Sequence, residues 1–276
     1  MRSGFTICYE TFGHFKFPPQ TISLPLENNL QFMIKAVIFD LDGTLIQTEV
    51  LKATSYAVAI NTLTQNEVTK KQVLDIFNRF VGLSRHEVVS GLANQFSAAL
   101  KKSLGLNKIE SIEEKLIESR LKVYRKILDD SQLLSNHFCQ FTLGLFHSLV
   151  DKKFKIVLAT MSHLPEAKKV TETMGIYEYF DLVLTRDDVE NGKPQPDIYI
   201  KAKTMLGLHS HECLVIEDSV NGILAAQNAS MPVFAVTNEI TRKSVHECKL
   251  LSPEFVIDDL SELQQRVYEY INAQNN

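Results

Sequence analysis

Glycine (11 residues) and proline (8) are scarce in this chain of 276 residues, which excludes fibrous and low-complexity architectures. Cysteine is sparse too. Cys8, Cys139, Cys213 and Cys248 lie far apart with no C-x-x-C pair, so they read as reduced thiols of a cytoplasmic protein rather than a disulfide framework. No run approaches the ~18 apolar residues of a membrane-spanning helix. The first residues run through Arg2, Tyr9, Glu10, His14 and Lys16 to Pro18-Pro19 and lack the apolar stretch of a secretory signal. A basic excess is missing as well: 29 Lys and Arg stand against 33 Asp and Glu, for a net charge of -4. Proteins that grip nucleic-acid phosphates carry the opposite balance. The pairs Lys70-Lys71, Lys101-Lys102, Lys152-Lys153 and Lys168-Lys169 are scattered and read as solvated helix faces. The patterns G-x-G-x-x-G, G-x-x-x-x-G-K-[ST] and G-x-S-x-G are absent, which leaves nucleotide cradles and serine hydrolases without motif support. Neither a nucleic acid nor a membrane is expected as a partner.

What is present is the balance of a globular protein, 45% hydrophobic and 22% charged, with a length of a little under two domains at ~150 residues each. Residues 1–33 show no sustained periodicity, carry Pro18, Pro19 and Pro25, and read as an N-terminal extension, with Met33 as an alternative start. From Ile34 to Phe39 runs a short apolar segment of the kind buried in a parallel strand. Similar runs recur at Lys155–Ala159, Asp181–Leu184, Cys213–Ile216, Val233–Val236 and Phe255–Ile257. Helical patterns separate most of them, near 137–151, 164–174, 197–206, 219–229 and 260–273. Strands alternating with helices predict a parallel sheet covered on both faces. The stretch 48–134 breaks this rhythm with helical windows alone, at 48–63, 67–80, 84–103 and 110–128; in the last, Ile112, Leu116, Ile117, Leu121, Tyr124 and Leu128 recur at helical spacing. The organisation predicted is an α/β core (34–47 and 135–276) with an all-helical insertion (48–134) after its first strand.

Ligands of doubly wound sheets bind at the carboxyl ends of the strands. After the first strand comes Asp40-Leu41-Asp42-Gly43-Thr44. Two carboxylates at i, i+2 of an extended segment point the same way, and one can attack an electrophile while the other handles a proton. Gly43 lets the backbone turn, and its neighbourhood can offer N–H groups to an anion. The bland reading of this segment is an Asp-Gly turn. The second strand ends in Thr160-Met161-Ser162, hydroxyls suited to a phosphate oxygen or to an N-cap. Between the third and fourth lies Asn191-Gly192-Lys193-Pro194-Gln195-Pro196-Asp197, a stiffened loop that can fix Lys193 as a positive charge. The fourth ends in Glu217-Asp218-Ser219, where Asp218 is either a member of the crevice or the cap of the next helix. Hard oxygen ligands of this type suit Mg²⁺.

Together these segments resemble the haloacid dehalogenase superfamily of aspartate-nucleophile phosphotransferases, in its β-phosphoglucomutase-like and phosphatase branch. The resemblance runs from about residue 34 to about 260 and rests on D-x-D-G-T (Asp40–Thr44), the hydroxyl of Thr160, G-K-P-x-P-D (Gly192–Asp197) and E-D-S-x-x-G (Glu217–Gly222). It implies a Rossmann-type parallel sheet with an inserted helical cap domain, and Asp40, Asp42, Thr160 and Lys193 as catalytic residues. Asp40 would be the nucleophile and Asp42 the acid and base. Mg²⁺ would be held by Asp40, Asp218 and the Asp42 carbonyl, with Glu217 as a direct or outer ligand. Substrate contacts would come from Gly43, Thr44, Met161, Arg85 and Lys52. The implied activity is Mg²⁺-dependent hydrolysis of a small phosphorylated metabolite, a sugar phosphate or similar, by a cytoplasmic monomer or weak homodimer. A sugar phosphomutase is the alternative, since it shares every core residue. A non-catalytic binding protein on the same fold is opposed by the complete motif set.

The insertion resembles the family's cap in position, and Val81-Gly82-Leu83-Ser84-Arg85 resembles its substrate loop. Lys52 stands where the mutases commonly carry a histidine, Gln47 replaces a common aspartate, and the Pro-Gly before the helix leading to the second strand is missing. Arg120 stands near a basic cap residue of the family and is read as a surface arginine. His163 is read as a helix-start surface residue, and His209, His211 and Glu212 as a solvated loop rather than metal ligands.

Overall fold

The computed structural model describes residues 33–80 and 83–275. The predicted extension up to Phe32, together with Cys8 and the pair Val81-Gly82, lies outside the described residues. Six parallel strands, β1 (Ala36–Phe39), β2 (Lys155–Ala159), β3 (Leu182–Leu184), β4 (Cys213–Glu217), β5 (Val233–Val236) and β6 (Val256–Ile257), form one sheet. Their order is β3-β2-β1-β4-β5-β6, so β1 lies inside between β2 and β4. Its four residues are wholly buried, as expected of a parallel strand covered on both faces.

Side chains alternate across the sheet with period two. Val37 and Phe39 join one core layer with Leu214, Ile216, Phe234 and Val236. Ala36 and Ile38 join the other with Val157, Ala159, Val215 and Ala235. Between β1 and β2 the chain forms helices α1 (Glu49–Leu63), α2 (Lys70–Phe77), α3 (Arg85–Gln95), α4 (Ser97–Leu104), α5 (Ile109–Asp129) and α6 (Ser131–Ser135). This insertion has its own core, in which Ile60, Val73, Val89, Leu92, Leu100, Ile112 and Leu116 are buried together. The apolar face predicted for 110–128 is shared out: Ile112 and Leu116 belong to the insertion, Tyr124 and Leu128 to the layer under the sheet. The predicted helix 84–103 is two helices that break at Phe96, whose backbone (φ -108°, ψ 21°) leaves the helical region.

The remaining helices cover the sheet. Those on the first layer are α7 (Gln140–Asp151), α8 (Leu164–Thr173) and, at the end of the chain, α12 (Leu263–Asn275); α9 (Asp197–Leu206), α10 (Val220–Asn228) and α11 (Arg242–Cys248) lie on the second. Among these, α11 has no counterpart in the sequence reading, because it is short and buries only Val245. Cys139, Cys213 and Cys248 are free thiols. Among the described residues no helix is long and apolar enough to cross a membrane.

Candidate active site

The register of the central strands decides what meets at their carboxyl ends. Phe39 lies level with Leu158 on one side and Ile216 on the other. The next residues along, Asp40, Ala159 and Glu217, are therefore side by side. Lys193 Nζ donates to all three: to Asp40 Oδ1 at 2.7 Å, the Ala159 carbonyl at 2.9 Å and Glu217 Oε1 at 2.6 Å. The lysine arrives from the β3–α9 loop, where its own N–H donates to Met161 Sδ (3.4 Å) and its ammonium sits 5.2 Å from the Tyr199 ring centre. Its side chain is only 4% exposed.

Glu217 and Asp218 are adjacent in sequence and differ in how they are held. Both carboxylate oxygens of Glu217 are spent inside the protein. Oε1 accepts from Lys193 and from the Tyr199 hydroxyl (3.0 Å); Oε2 accepts from the Asp218 and Ser219 N–H groups and the Ser219 hydroxyl. Asp218 Oδ2 accepts from the Asn238 amide at 3.1 Å. Asn238 is itself fixed, because its Oδ1 accepts the Ile240 and Thr241 N–H groups ahead of α11. Asp218 does not cap α10; the Ser219 hydroxyl does, accepting from the Gly222 N–H. Two glycines make room for the pair. A Cβ on Gly43, whose φ is +93°, would lie 1.9 Å from Asp218 Oδ2, and a Cβ on Gly222 would lie 1.8 Å from the Glu217 carboxyl carbon.

Asp42 faces a different set of groups. It accepts from the Thr48 hydroxyl, from the Ser162 hydroxyl at 2.5 Å and from Lys52 Nζ at 3.2 Å, while Lys52 also meets Glu49 at 3.0 Å. Thr48 and Lys52 sit one turn apart at the start of α1, so the insertion supplies two of these contacts to Asp42 and the loop after β2 supplies Ser162. The N–H groups of Gly43 and Thr44 are both committed within the turn, to Ile46 O (2.7 Å) and Leu41 O (3.3 Å). The Thr44 hydroxyl is buried and has no hydrogen-bond partner among the described residues. Thr160 is buried, and its hydroxyl accepts from the Ser162 N–H (3.0 Å). Helix α8 begins with His163 as its cap residue, not with Thr160 or Ser162.

The charges follow from this packing. Burial pushes the Asp40 carboxyl up to about 8; Lys193 opposes the shift, while Glu217 and Asp42 add to it. Asp218 is raised well above the carboxylate range by burial, then by Glu217 and Asp40. Asp42 moves down instead: burial works against ionisation, but Lys52 and the hydrogen bonds from Ser162 and Thr48 outweigh it. Lys193 is held firmly protonated, because Asp40 and Glu217 overcome the cost of burying it. Ligand atoms of Asp40, Glu217 and Asp218 lie within 4.8 Å of one another. Fully ionised, these three carboxylates would face one ammonium with two negative charges in excess; their mutual repulsion favours protonation of Asp40 and Asp218, and a divalent cation would relieve it. Because Glu217 already accepts from five donors, Asp40 and Asp218 are, among the described residues of this cluster, the carboxylates with room for a metal.

The structure brings Asp40, Lys193, Glu217 and Asp218 into one cluster and sets Asp42 beside Ser162 and Lys52. Arg85, at the start of α3 and about a third exposed, has Nη2 3.9 Å from Glu166 Oε1 on α8. His163 pairs with Asp187 through Nδ1 (2.5 Å). His209 and His211 stack on each other at 5.4 Å between ring centres, just before β4 and so at the opposite end of that strand from Glu217. Arg120 corrects the sequence reading: it is 4% exposed, not a surface residue. Tyr199, Asn238 and Ser162 bind the acidic groups, and sequence reasoning gave them no such part. Tyr199 stands on the core face of its helix, where an aromatic ring reads as packing; the partner of Asn238 lies 20 residues away.

A parallel α/β sheet with a buried lysine and carboxylates at its strand ends, and a helical insertion after the first strand, defines the class of protein. The chain belongs to the haloacid dehalogenase-like hydrolase family, whose profile matches residues 34–230. The pyrophosphatase PpaX of Bacillus cereus is 28% identical over 232 residues, which make up 83% of this chain and 94% of that protein. Among solved structures, the β-phosphoglucomutase of Clostridium difficile is 24% identical with a TM-score of 0.60, covering 88% of this chain and 98% of that one. A family IA hydrolase of the same superfamily from Entamoeba histolytica is 23% identical with a TM-score of 0.66, covering 88% and 100%. These two structures share the fold.

Proposed function

We propose that the protein is a Mg²⁺-dependent phosphatase of small phosphorylated metabolites, working through an aspartyl-phosphate on Asp40. Residues 34–47 and 135–276 would form the catalytic core and 48–134 the cap, with the free thiols consistent with a cytoplasmic setting. The observation that carries the reading is the convergence of Asp40, Lys193 and Asp218 at the carboxyl end of the central strand, with Asp42 two residues from the nucleophile.

The crowded carboxylates and the open lone pairs of Asp40 and Asp218 fit a hard divalent cation, and the family resemblance adds the Asp42 carbonyl to its ligands. Bound there, Mg²⁺ would neutralise part of the phosphoryl charge that otherwise repels Asp40. Lys193 holds a fixed positive charge against the Asp40 oxygen and the incoming phosphoryl oxygens, with Thr160 beside it. An Asp40 oxygen attacks phosphorus, the bond to the leaving oxygen breaks, and Asp42 gives that oxygen its proton. Asp42 then takes a proton from water as the water oxygen attacks phosphorus. The acyl-phosphate bond breaks, which releases phosphate and restores the Asp40 carboxylate. The contacts of Asp42 with Lys52, Thr48 and Ser162 favour its ionised form, the form that accepts a proton from water. To act as an acid first, it must give up the Lys52 contact.

The test is phosphate release from a panel of sugar and other small phosphate esters, with Mg²⁺ and with EDTA. Release that needs Mg²⁺ and falls about a thousandfold or more in Asp40→Asn, with thermal unfolding preserved, is the expected result. Conversion of β-glucose 1-phosphate to glucose 6-phosphate with little free phosphate would make the protein a phosphomutase instead. Undiminished turnover in Asp40→Asn or in EDTA would remove the covalent mechanism or the metal.

A further inference from the structure

The loop after β5 reaches the acidic cluster through the Asn238 amide, and that amide is not free to turn. Its Oδ1 accepts the Ile240 N–H (2.9 Å) and the Thr241 N–H (3.0 Å). Its Nδ2 donates to Asp218 Oδ2 (3.1 Å). A half-turn of the amide would set Oδ1 against a carboxylate oxygen and Nδ2 against two N–H groups, so all three contacts would become repulsive. The result is a fixed donor aimed at one oxygen of one carboxylate.

The loop is anchored from outside the site. The Thr241 hydroxyl accepts the Asn238 N–H (3.3 Å), which makes a reciprocal pair with the bond from the Thr241 N–H to the Asn238 side chain. The Asn238 carbonyl accepts the Arg242 N–H at the start of α11. Asp258, just past β6, gathers both flanks: the Thr237 hydroxyl (2.5 Å), His246 (2.9 Å) and Arg242 (3.4 Å) all meet its carboxylate. Asn238 therefore lies between a threonine and a helix that are tied to the same residue of β6's exit.

Asp218 is a residue that needs such a hold. It is buried, and Glu217, Asp40 and Glu49 all repel its charge. Gly43 contributes no Cβ on the side of Oδ2, where one would lie 1.9 Å away. A donor on that oxygen offsets the repulsion and fixes the plane of the carboxylate, with its ligand atom within 4.8 Å of that of Asp40.

We propose that Asn238 is a positioning residue for the metal: its amide holds the Asp218 carboxylate in the orientation that takes Mg²⁺. The inference rests on the metal-dependent phosphatase reading, but its test reads Mg²⁺ binding and not turnover.

Asn238→Ser separates the two jobs of the side chain. A serine hydroxyl can accept the N–H groups of such a turn, though more weakly, but it is shorter than the amide and cannot also donate to Asp218. Calorimetric titration of the full chain with MgCl₂ alone is set beside melting curves in EDTA. The serine variant should melt within a few degrees of wild type in EDTA, while its Mg²⁺ dissociation constant rises about tenfold or more, the usual effect of removing a residue that holds a metal's ligand. Asn238→Ala, which loses both jobs, should show the same rise together with a lower melting temperature. A serine or alanine variant that binds Mg²⁺ as tightly as wild type overturns the proposal, because Asn238 would then serve only the turn. Should neither variant fold, nuclear magnetic resonance of the wild type decides. The Asn238 side-chain amide signal should move as Mg²⁺ is added, with the calorimetric midpoint, and an unmoved signal overturns the proposal. A wild-type protein that binds no Mg²⁺ removes the metal from the phosphatase reading and this inference with it. If Mg²⁺ binds and weakens in the serine variant but no ester is hydrolysed, the phosphatase reading alone fails.

Discussion

Gly222 stands where no other side chain fits, because the Glu217 carboxylate occupies the place of its Cβ. Alanine there forces Glu217 away from Lys193, Tyr199 and the Ser219 hydroxyl, or pushes α10 outward. Overpacking of a buried site costs about 1–3 kcal/mol. At ~2–4 °C per kcal/mol for a chain of this size, Gly222→Ala should lower the melting temperature by several degrees. Calorimetry or circular dichroism measures this, and an unchanged melting temperature would mean that Glu217 moves freely. The glycine was legible only as the last letter of E-D-S-x-x-G. Its reason was not, since it lies in a side chain that folds back five residues along the chain. Arg120, whose guanidinium lies over the rings of Tyr56 and Tyr124, shows the reverse. Tyr124 is visible four residues downstream, but Tyr56, 64 residues upstream, is brought to it only by the packing of α1 on α5.

At the scale of elements, β3 depends on a residue just outside it. The sequence predicts a strand from Asp181, but the ladder begins at Leu182. Asp181 instead closes the lower end of β2 and β3. Its N–H donates to Ile156 O (2.8 Å), its Oδ2 accepts the Ile156 N–H (2.9 Å), and its Oδ1 accepts from Lys155 Nζ (2.6 Å). Burial works to raise its carboxyl, but the Lys155 and Ile156 contacts outweigh it and leave it below the usual carboxylate range. A carboxyl depressed in the folded state stabilises above its unfolded value of ~3.9, and that stabilisation is lost as the pH falls below it. Asp181→Asn, a neutral isostere, should therefore be about 1 kcal/mol less stable in urea at pH 7. The gap should close between about pH 4 and pH 3; a gap independent of pH would show that charge plays no part. Most of the sheet was legible because its strands are short apolar runs bounded by loops. The break at Phe96 and helix α11 were not, because one continuous apolar pattern spans the first and a single buried residue marks the second.

The whole molecule is organised so that the sheet delivers carboxylates from separate strand ends to one point while the helical insertion brings Thr48 and Lys52 to the remaining acid. The motif residues Asp40, Lys193, Glu217 and Asp218 were legible because each follows a recognisable strand or sits in a marked loop. How the acidic pair divides its work was not, because hydrogen bonds from four other residues decide it. That division makes two opposite forecasts for neighbouring residues. Removing Glu217 strands the buried Lys193 ammonium next to a single carboxylate and takes the acceptor from Tyr199, and breaking a buried ion pair costs about 3–5 kcal/mol. Glu217→Ala should therefore melt about 10 °C or more below wild type even without metal. Asp218→Ala removes a carboxylate that repels Asp40 and Glu217, so its metal-free melting temperature should equal or exceed that of wild type. Mg²⁺ binds only the folded state and should raise the wild-type melting temperature, by about 2.7 kcal/mol of stability at a hundred times the dissociation constant. In Asp218→Ala that rise should disappear. Melting curves of the three proteins in EDTA and in millimolar Mg²⁺ decide the matter. A Mg²⁺-dependent rise that survives in Asp218→Ala, or a Glu217→Ala protein as stable as wild type in EDTA, would reverse the roles assigned to the two residues.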